Sequence, residues 1–320
     1  MKIENQLNCK VLHPNTNKIE REEWLQIRKQ GLGGSDIGAI FGLNKYKSPM
    51  AVYMDKISDT VEEINSESAY WGTTLEDIVA SEFSKRNNLK IQKRNAVFQH
   101  PEYEYMLANV DRFILSGDAG IGVLEVKTAS EYAKDQWQED KVPDSYYLQV
   151  QHYLLVTGLQ WAYIAVLIGG NKYQQYYIER EQEIVDVMIG KEKEFWEEHI
   201  LKQVPPDWDG SEGSEEILKK MYPEALEGTE IVLPDELEEH INAIENLKER
   251  QKALDTEIAK HEEVLKAEIG DNEKAKICGR VITWANQTRE SFDSKRFKSE
   301  FPEQYSQFTK PTKYRVFKIK

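Results

Sequence analysis

One short segment of the chain alternates charged and apolar side chains: Gly122-Val123-Leu124-Glu125-Val126-Lys127-Thr128. Successive side chains of a β-strand point to opposite faces of its sheet. The alternation therefore predicts a strand that carries Glu125 and Lys127 on one face. Leu124 and Val126 would point the other way, into the protein core. The first face would then present a carboxylate and an ammonium group side by side.

A second carboxylate, Asp111, lies at the end of a preceding β-type segment, Tyr105–Ile114. The residues that follow, Ser116-Gly117-Asp118-Ala119-Gly120, are typical of a turn. A hairpin through this turn would bring Asp111 beside Glu125. Two carboxylates on one patch suit Mg²⁺, which prefers oxygen ligands and fills its other positions with water and substrate phosphate. An ordinary cross-strand ion pair remains an alternative explanation of the pattern.

A third carboxylate belongs to a predicted helix that begins at Thr73. On this helix Glu76 shares a face with Val79 and Phe83, so it would point toward the apolar side. Burial of an unpaired carboxylate is costly, and a metal ion would offset the cost. The alternative is a capping box, in which Glu76 only reaches back to the backbone of Thr73.

A glycine-rich turn, Gly31-Leu32-Gly33-Gly34, separates a predicted helix over 21–29 from a second helix that starts at Ser35. Free backbone amides, the Ser35 hydroxyl and the nearby Arg28 guanidinium would together bind an anion. A terminal 5′-phosphate would suit such a site. The alternative is that Ser35 is an ordinary helix cap.

A further helix is predicted from Tyr146 to Thr157. Tyr146, Gln149 and Tyr153 fall on one face of it. Gln149 could hydrogen-bond a phosphate or an attacking water, although such a stripe also occurs at the edge of a core. His152 lies beside this face and is assigned no role.

The residues after 160 complete the prediction of the fold. Residues 161–168 form an apolar, β-prone run, so strands and helices alternate along the first part of the chain. This predicts the α/β class, with a mixed central sheet flanked by helices. The Pro-, Gly- and Ser-rich stretch after residue 204 predicts a boundary between a core, 1–204, and an extension, 205–320.

The extension is predicted to contain helical and β structure. Apolar residues from Leu237 to Leu265 recur mostly three, four or seven apart, which indicates an amphipathic helix of roughly nine turns. We expect this helix to pack on the core, on a second helix or on a neighbouring subunit. Arg280–Trp284 and Tyr314–Ile319 are predicted as strands.

The charge of the chain is unevenly distributed. Its net charge is −14, which by itself disfavours a nucleic-acid partner. However, residues 205–275 contain 21 acidic and 8 basic side chains, whereas residues 276–320 contain 4 acidic and 11 basic ones. The acidic segment is most simply a solvated helical face, and the basic tail could lie near DNA.

Composition also excludes several classes of protein. No apolar run is long enough for a membrane span, and residues 1–30 lack the apolar stretch of a secretory signal, so we expect a cytoplasmic protein. The two cysteines, Cys9 and Cys278, are far apart and are interpreted as free thiols. A disulfide framework, a zinc knuckle and a four-cysteine iron–sulfur site are therefore not expected.

Five segments in order resemble the YqaJ-type viral recombinase family, which is related to lambda exonuclease within the PD-(D/E)xK nucleases. They are Gly33-Gly34-Ser35-Asp36-Ile37-Gly38-Ala39-Ile40, Trp71-Gly72-Thr73-Thr74-Leu75-Glu76, Asn109-Val110-Asp111, Leu124-Glu125-Val126-Lys127-Thr128 and Tyr147-Leu148-Gln149-Val150-Gln151-His152-Tyr153. The resemblance spans about residues 20–204. Val110 replaces the proline in the motif's name.

The resemblance implies an alkaline exonuclease that degrades one strand of duplex DNA in the 5′→3′ direction. Such an enzyme releases 5′-mononucleotides and leaves a 3′ single-stranded overhang for phage-type recombination. It implies two-metal hydrolysis with Mg²⁺, for which Mn²⁺ could substitute, and a PD-(D/E)xK restriction-endonuclease-like core. The implied partners are double-stranded DNA ends, a single-strand annealing protein of the RecT or Beta type, and further copies in a homo-oligomeric ring, a trimer or tetramer. The implied origin is a phage or prophage.

The resemblance also implies roles for individual residues. The metal ligands would be Glu76, Asp111, Glu125 and the backbone carbonyl of Val126. The catalytic group would comprise Asp111, Glu125, Lys127, which orients or deprotonates the attacking water, and Gln149, which supports that lysine and water. Arg28 and Ser35 would bind the 5′-phosphate, and Tyr146 would lie close to the scissile nucleotide.

Two other functions stay open from the sequence. One is a PD-(D/E)xK endonuclease of the restriction, Cas4-like or RecB-like type, although the missing cysteine quartet disfavours the iron–sulfur members. The other is an inactive protein that keeps the fold and binds DNA ends. Cutting of closed circular DNA would identify the endonuclease, and the absence of any cutting in Mg²⁺ would identify the inactive binding protein.

Overall fold

The computed structural model describes residues 3–58, 66–116, 120–138 and 141–319. Its residues group into two compact units, Met1–Met221 and Tyr222–Lys320. The functional boundary expected after residue 204 stays a prediction.

Nine strands lie in the described part of the first unit. They are β1 (Lys10–His13), β2 (Leu32–Gly33), β3 (Lys90–Gln92), β4 (Val97–Gln99), β5 (Met106–Ala108), β6 (Arg112–Ser116), β7 (Gly120–Ala129), β8 (Trp161–Ile168) and β9 (Lys172–Glu179). Five of them form the central sheet, in the order β3-β6-β7-β8-β9, and four form a smaller sheet, in the order β1-β4-β5-β2. In the central sheet β7 and β8 are parallel while the other neighbours are antiparallel. The predicted mixed sheet is confirmed.

Seven α-helices accompany these strands in the described residues. They are α1 (Arg21–Lys29), α2 (Gly34–Ile40), α3 (Pro49–Ile57), α4 (Glu67–Asn87), α5 (Asp144–Thr157), α6 (Gln182–Glu194) and α7 (Glu212–Met221). Helix α6 continues directly into a π-helical turn, Phe195–Leu201. The predicted α/β class, with helices flanking the sheet, is therefore confirmed.

The two faces of β7 are covered by different helices, as the alternation of its side chains requires. Leu124 and Val126 pack in one cluster with Val79 and Phe83 of α4. Val123 packs on the opposite face, in the cluster that contains residues of α5. The predicted core-facing and site-facing sides of β7 are thus confirmed.

The hairpin between β6 and β7 is present, with Arg112 opposite Leu124 and Ser116 opposite Gly120. Residues 117–119 of the predicted turn lie outside the described residues. The β-type segment predicted over 105–114 is interrupted, because β5 ends at Ala108 and β6 begins at Arg112. The interruption arises because β5 and β6 belong to different sheets. Asp111 therefore precedes a strand instead of ending one.

The helix predicted to begin at Thr73 begins earlier, at Glu67. Its cap is Ser66, whose hydroxyl accepts from the backbone N–H of Ala69 at 3.1 Å. The Thr73 hydroxyl instead donates to the carbonyl of Ala69 inside the helix. The capping-box explanation of Glu76 is therefore wrong, because Thr73 lies within the helix.

Helix α2 approaches α5 closely at two glycines. A Cβ at Gly34 would lie 2.6 Å from Cε1 of Tyr153, and a Cβ at Gly38 would lie 2.7 Å from Cβ of Ser145. Both positions leave no space for a side chain. The glycines of this segment therefore serve helix packing, which seats the turn before α2 against α5.

His152, which received no role from the sequence, is a buried core residue. Its Nδ1 lies 3.0 Å from Oε1 of Glu192 and its Nε2 lies 2.9 Å from the carbonyl oxygen of Leu107. Burial lowers the pKa of His152, but the Glu192 carboxylate outweighs this and raises it. Both ring nitrogens are engaged, so His152 joins α5 to α6 and β5.

The second unit contains three α-helices and a hairpin in its described residues. These are α8 (Glu238–Ile269), β10 (Lys274–Ile277), β11 (Arg280–Thr283), α9 (Ser294–Glu300) and α10 (Pro302–Phe308). The long helix predicted through Leu237–Leu265 is confirmed by α8. The predicted strand over 280–284 is confirmed as β11, which pairs with β10.

The strand predicted over Tyr314–Ile319 is wrong, because these residues form no regular secondary structure. A strand needs a neighbour to bond its backbone, and β10 and β11 pair with each other. Cys9 and Cys278 are both free, as predicted. None of the described helices combines the length and apolar character that crossing a membrane would need.

Candidate active site

The hairpin brings Asp111 against the backbone of β7. Oδ2 of Asp111 accepts a hydrogen bond from the backbone N–H of Val126 at 2.9 Å. In an extended strand the N–H and C=O of one residue point to the same side. The carbonyl of Val126 therefore points toward the margin of the sheet where Asp111 lies.

On the α5 side of β7, Glu125 and Lys127 meet Gln149. Nζ of Lys127 donates to Oε1 of Glu125 at 2.6 Å and to Oε1 of Gln149 at 3.1 Å. The amide nitrogen of Gln149 donates to the same Glu125 oxygen at 2.7 Å. The amide of Gln149 is thus oriented by charge, with its oxygen toward the ammonium and its nitrogen toward the carboxylate.

Two tyrosines of α5 border this group. The hydroxyl of Tyr153 accepts from Nε2 of Gln149 at 2.8 Å. Nζ of Lys127 lies 4.7 Å from the centroid of the Tyr146 ring, a cation–π distance. Tyr146 in turn stacks on Trp137, with 5.5 Å between ring centroids. The tyrosine–glutamine stripe of the sequence therefore lines the site.

The electrostatics of the group show an excess of negative charge. Glu125 is 2% exposed, and its Oε2 has no hydrogen-bond partner. Burial and the Glu125 carboxylate raise the pKa of Asp111 well above its usual value. Burial lowers the pKa of Lys127, but Glu125 and Asp111 outweigh it and raise that pKa. One lysine does not satisfy both carboxylates.

Glu76, the third carboxylate, is engaged by basic residues. Its Oε1 accepts from Nη1 of Arg112 at 2.6 Å and from Nζ of Lys93 at 3.1 Å. Arg112 also donates to Asp77, the neighbour of Glu76. Glu76 is nevertheless near enough to contribute to the raised pKa of Asp111.

Sequence reasoning missed Arg112, whose side chain is 4% exposed. It also donates to the carbonyl of Asp111 at 2.6 Å, so it ties the start of β6 to α4. The sequence does offer one indication of its role, because Arg112 begins an apolar strand and directly follows the candidate ligand Asp111. Such a residue is rarely buried without an acidic partner.

The arrangement fits a divalent cation. The unpartnered oxygen of Glu125 and the raised pKa of Asp111 both indicate a position where positive charge would be stabilising. Asp111, Glu125 and the carbonyl of Val126 supply the hard oxygen donors that Mg²⁺ prefers. Among the described residues, however, no three acidic, histidine or cysteine side chains are already grouped as ligands. Glu76 would have to leave its basic partners to join them.

The predicted anion-binding residues flank the turn before α2, with Arg28 in α1 and Ser35 in α2. Nη2 of the half-buried Arg28 donates to Oγ of the exposed Ser35 at 3.3 Å. A Cβ at Gly34 would lie 3.1 Å from Cγ of Gln149, so the start of α2 packs directly on α5. The pair formed by Arg28 and Ser35 therefore adjoins the group around Gln149.

A buried aspartate supports this turn. Oδ2 of Asp36 accepts from the backbone N–H of Gly33 at 3.1 Å and pairs with Nζ of Lys56 at 2.8 Å. Its Oδ1 pairs with Nζ of Lys47 at 2.8 Å. Burial raises the pKa of Asp36, but the two lysines and Arg28 outweigh it and hold that pKa well below its usual value. Lys56 also donates to the carbonyl of Arg28 at 3.0 Å.

Most of the residues predicted for the site thus lie on two adjoining surfaces of the first unit. Asp111, Glu125, Val126, Lys127, Gln149 and Tyr146 form one group, and Arg28 with Ser35 forms the other. Glu76 is close by but paired with Arg112 and Lys93. The roles assigned to these residues stay predictions.

Comparisons with known proteins agree with the sequence motifs. Residues 23–160 match the model of the YqaJ-like viral recombinase domain. The chain is 40% identical over 315 residues to the Bacillus subtilis (strain 168) protein YqaJ, with 98% of each chain covered. It is 27% identical over 147 residues to protein R354 of Acanthamoeba polyphaga mimivirus, covering 42% of this chain and 26% of that protein.

Among solved structures, the chain is similar to an alkaline exonuclease, LHK-Exo, from Laribacter hongkongensis. The identity is 20%, the TM-score is 0.48, and the match covers 62% of this chain and 97% of that chain. A phage-related exonuclease from Haemophilus somnus 129PT matches with 11% identity, a TM-score of 0.40 and coverage of 54% and 96%. From its full-length similarity to YqaJ and the match to the domain model, this chain belongs to the YqaJ-like viral recombinase family.

Proposed function

We propose that this protein is a Mg²⁺-dependent exonuclease that digests one strand of duplex DNA in the 5′→3′ direction. The products would be 5′-mononucleotides and a 3′ single-stranded overhang. The observation that carries the proposal is the group of Asp111, Glu125 and Lys127, in which a buried carboxylate oxygen has no partner. Family membership supports the same conclusion.

The metal ligands would be Asp111, Glu125 and the carbonyl of Val126. Glu76 would complete the set of ligands by releasing Arg112 and binding the cation. Two Mg²⁺ ions, or Mn²⁺ in their place, would supply a nucleophile from water at neutral pH and neutralise charge on the scissile phosphate. The two carboxylates would hold these ions at the margin of the sheet, where substrate can reach them.

Lys127 would position the attacking water. Its pKa is raised by Glu125 and Asp111, so it is an ammonium donor in the structure described. Neutralisation of both carboxylates would remove the cause of that shift, so that burial would lower the pKa of Lys127 and its ammonium could release a proton to solvent. The neutral amine could then accept a proton from the attacking water. Gln149 and the Tyr146 ring hold the ammonium in place on its other sides.

Recognition of the DNA end would involve Arg28 and Ser35. A guanidinium and a hydroxyl 3.3 Å apart suit the oxygens of a terminal 5′-phosphate. Since the turn packs on α5, a phosphate held there would be presented to the catalytic group. Tyr146 would lie close to the scissile nucleotide.

The wider biological role is also a proposal. The overhang would be the substrate of a single-strand annealing protein of the RecT or Beta type in phage recombination. A homo-oligomeric ring, a trimer or tetramer, would retain the enzyme on duplex DNA between cleavage steps. The negative charge of the chain would then lie on the outside of such a ring.

The test uses linear duplexes with 5′-phosphorylated or 5′-hydroxyl ends, and closed circular duplexes, each with Mg²⁺ or EDTA. We expect Mg²⁺-dependent digestion of the linear DNA to mononucleotides, faster from phosphorylated ends, and no cutting of circles. Cutting of closed circles would instead identify an endonuclease. Binding of ends without cutting in Mg²⁺ would identify an inactive end-binding protein.

A further inference from the structure

A short stretch of the second unit, residues 308–319, combines basic and aromatic side chains and is termed the basic segment. It contains the basic residues Lys310, Lys313, Arg315 and Lys318, the aromatic residues Phe308, Tyr314 and Phe317, and no acidic residue. The whole chain has a net charge of −14. The basic segment is therefore a local positive site in an acidic protein, and it would attract a polyanion.

The cations of the basic segment are not compensated within the protein. Among the described residues, Lys310, Lys313 and Lys318 form no ion pair. Nη1 of Arg315 donates to the backbone carbonyl of Tyr222 at 3.4 Å, which is an uncharged acceptor. By contrast, α8 and α9 each contain a basic side chain that pairs with a carboxylate one helical turn away. The basic segment has charge available for a partner.

The aromatic rings of the basic segment are also uncovered. Phe308, Tyr314 and Phe317 are 83%, 79% and 84% exposed. Single apolar residues on a protein surface are common and need no explanation. Three large rings close together in the chain, each with most of its surface in water, instead indicate a binding surface.

We propose that the basic segment binds single-stranded DNA, at a site outside the candidate active site. Proteins that bind single strands combine cations that follow the phosphates with aromatic rings on which successive bases stack. The order Lys313-Tyr314-Arg315-Val316-Phe317-Lys318 interleaves these two kinds of side chain. A single strand presents phosphates and free base faces in the same interleaved way, so it matches the segment in both charge and stacking.

Other polyanions match the basic segment less well. The bases of duplex DNA already stack on one another, so they offer no free faces to the three rings. Carboxylates of α8 in a second copy, or of an acidic partner protein, would neutralise the cations but would leave the rings without a stacking partner. The rings therefore select a single strand among the possible occupants.

The site would hold the 3′ overhang that the proposed exonuclease leaves, and this role rests on the proposed function. The binding itself does not, because it is measured in EDTA, in which a Mg²⁺-dependent nuclease is inactive. A protein that binds single strands through the basic segment but digests no duplex would contradict the proposed function alone. A protein that digests duplex DNA, but binds single strands equally well without these side chains, would contradict the present proposal alone.

The first experiment removes charge from the basic segment. Fluorescence anisotropy measures binding of the full chain to an oligo-dT of about 20 nucleotides, which is longer than the roughly 4–16 nucleotides covered by single-strand-binding folds. The triple substitution Lys310→Gln, Lys313→Gln and Lys318→Gln should weaken this binding by about tenfold or more. The slope of log affinity against log salt concentration should become shallower by about 2, since each lost phosphate contact removes about 0.7.

The matched control removes the same charge from exposed residues of α8, by Lys248→Gln, Lys252→Gln and Lys260→Gln. It should change neither the affinity nor the salt slope. Equal losses in the two triple variants would overturn the proposal, because net charge and not the basic segment would then govern binding.

A duplex of the same length, also in EDTA, tests the preference for single strands. Its binding should be little affected by the triple substitution in the basic segment. Equal losses on single-stranded and duplex DNA would show that the segment only attracts phosphates, and would overturn the assignment to single strands. No loss on either DNA would overturn the proposal and would indicate that protein covers the segment.

The second experiment removes the rings. Tyr314→Ala with Phe317→Ala should weaken oligo-dT binding roughly 10- to 100-fold through lost stacking, while the salt slope stays unchanged. Tyr314→Phe with Phe317→Tyr keeps both rings and should bind as the parent does. Val316→Ala shortens an exposed apolar side chain between the rings and is the matched control. Parental affinity in the double alanine variant would overturn stacking, and with it the choice of a single strand.

Discussion

Two aspartates of the first unit lie in opposite electrostatic surroundings. Asp36, in the first turn of α2, is fully buried between Lys47 and Lys56 and has a lowered pKa. Asp111, at the head of β6, is half-buried beside Glu125 and has a raised pKa. The first carboxylate is compensated by the protein itself. The second is compensated incompletely, which is the expected condition of a residue that binds a cation.

This contrast distinguishes a carboxylate that stabilises the fold from one that we propose to be functional. Removal of Asp36 should damage the fold, whereas removal of Asp111 should damage activity and relieve repulsion in the metal-free protein. Strained or destabilised active sites commonly show this exchange of stability for function. The following predictions test the distinction, in order of decreasing effect.

The largest expected effect is on catalysis by Lys127→Ala. Loss of a group that positions or transfers a proton typically lowers turnover about 10²- to 10⁴-fold. Digestion of linear duplex DNA in Mg²⁺ measures the effect, and binding of the same DNA in EDTA should change little. Lys134→Ala, which removes an exposed ion pair with Glu131, is the matched control. Parental activity in Lys127→Ala would falsify the assigned site.

The next effect is on stability, from Asp36→Asn. The substitution keeps the shape of the side chain but leaves the ammonium of Lys56, 1% exposed, without the carboxylate that pairs with it. Breaking a buried ion pair in this way costs about 3–5 kcal/mol. The free energy of unfolding in urea measures the loss. Asp55→Asn removes an exposed partner of Lys47 and should change stability by less than about 0.5 kcal/mol.

A smaller effect is expected for Arg28→Ala on the choice of DNA end. A hydrogen bond to a charged group contributes about 1.5–3 kcal/mol, so the preference for 5′-phosphorylated over 5′-hydroxyl ends should fall roughly 10- to 100-fold. The ratio of the two digestion rates measures the preference. Arg86→Ala, which removes a surface pair with Glu82, should leave the ratio unchanged. Equal slowing on both ends by Arg28→Ala would show that Arg28 does not recognise the phosphate.

The smallest effect is the pH dependence of stability in EDTA. Because the folded-state pKa of Asp111 is raised, its stabilising contribution is present below the usual pKa of 3.8 and is lost as pH rises through the folded value. Asp111→Asn should therefore be more stable than the parent at neutral pH, by on the order of 1 kcal/mol. The difference should shrink on acidification. A variant that is less stable at neutral pH would contradict the repulsion between Asp111 and Glu125.

Much of the site could be predicted from local pattern. The shared face of Glu125 and Lys127 follows from strand alternation, and their proximity to Asp111 follows from a short hairpin. Gln149 was identified from helical spacing within a motif. These inferences succeed because each depends on residues that are close in the chain or on the geometry of a single element.

The errors also have physical causes. The start of α4 was placed at Thr73 because a Thr-x-x-Glu pattern imitates a cap, whereas the true cap, Ser66, lies earlier in the chain. The segment Tyr314–Ile319 has the composition of a strand but no strand beside it. The composition of a segment indicates only its preference for extended structure. A strand forms when a neighbouring strand can hydrogen-bond its backbone.

By itself, the sequence determined three things. These are the spacing of apolar and polar side chains in each helix and strand, the class of the fold, and the acidic and basic residues available to the site. The tertiary structure decided which of those charges meet. Arg112 and Glu76 are 36 positions apart in the chain, yet they form an ion pair at the sheet margin. Asp36 and Lys56 likewise pair only because α2 packs on α3. Charges act over distances in space, and the local periodicity of a chain contains little information about which distant residues fold into contact.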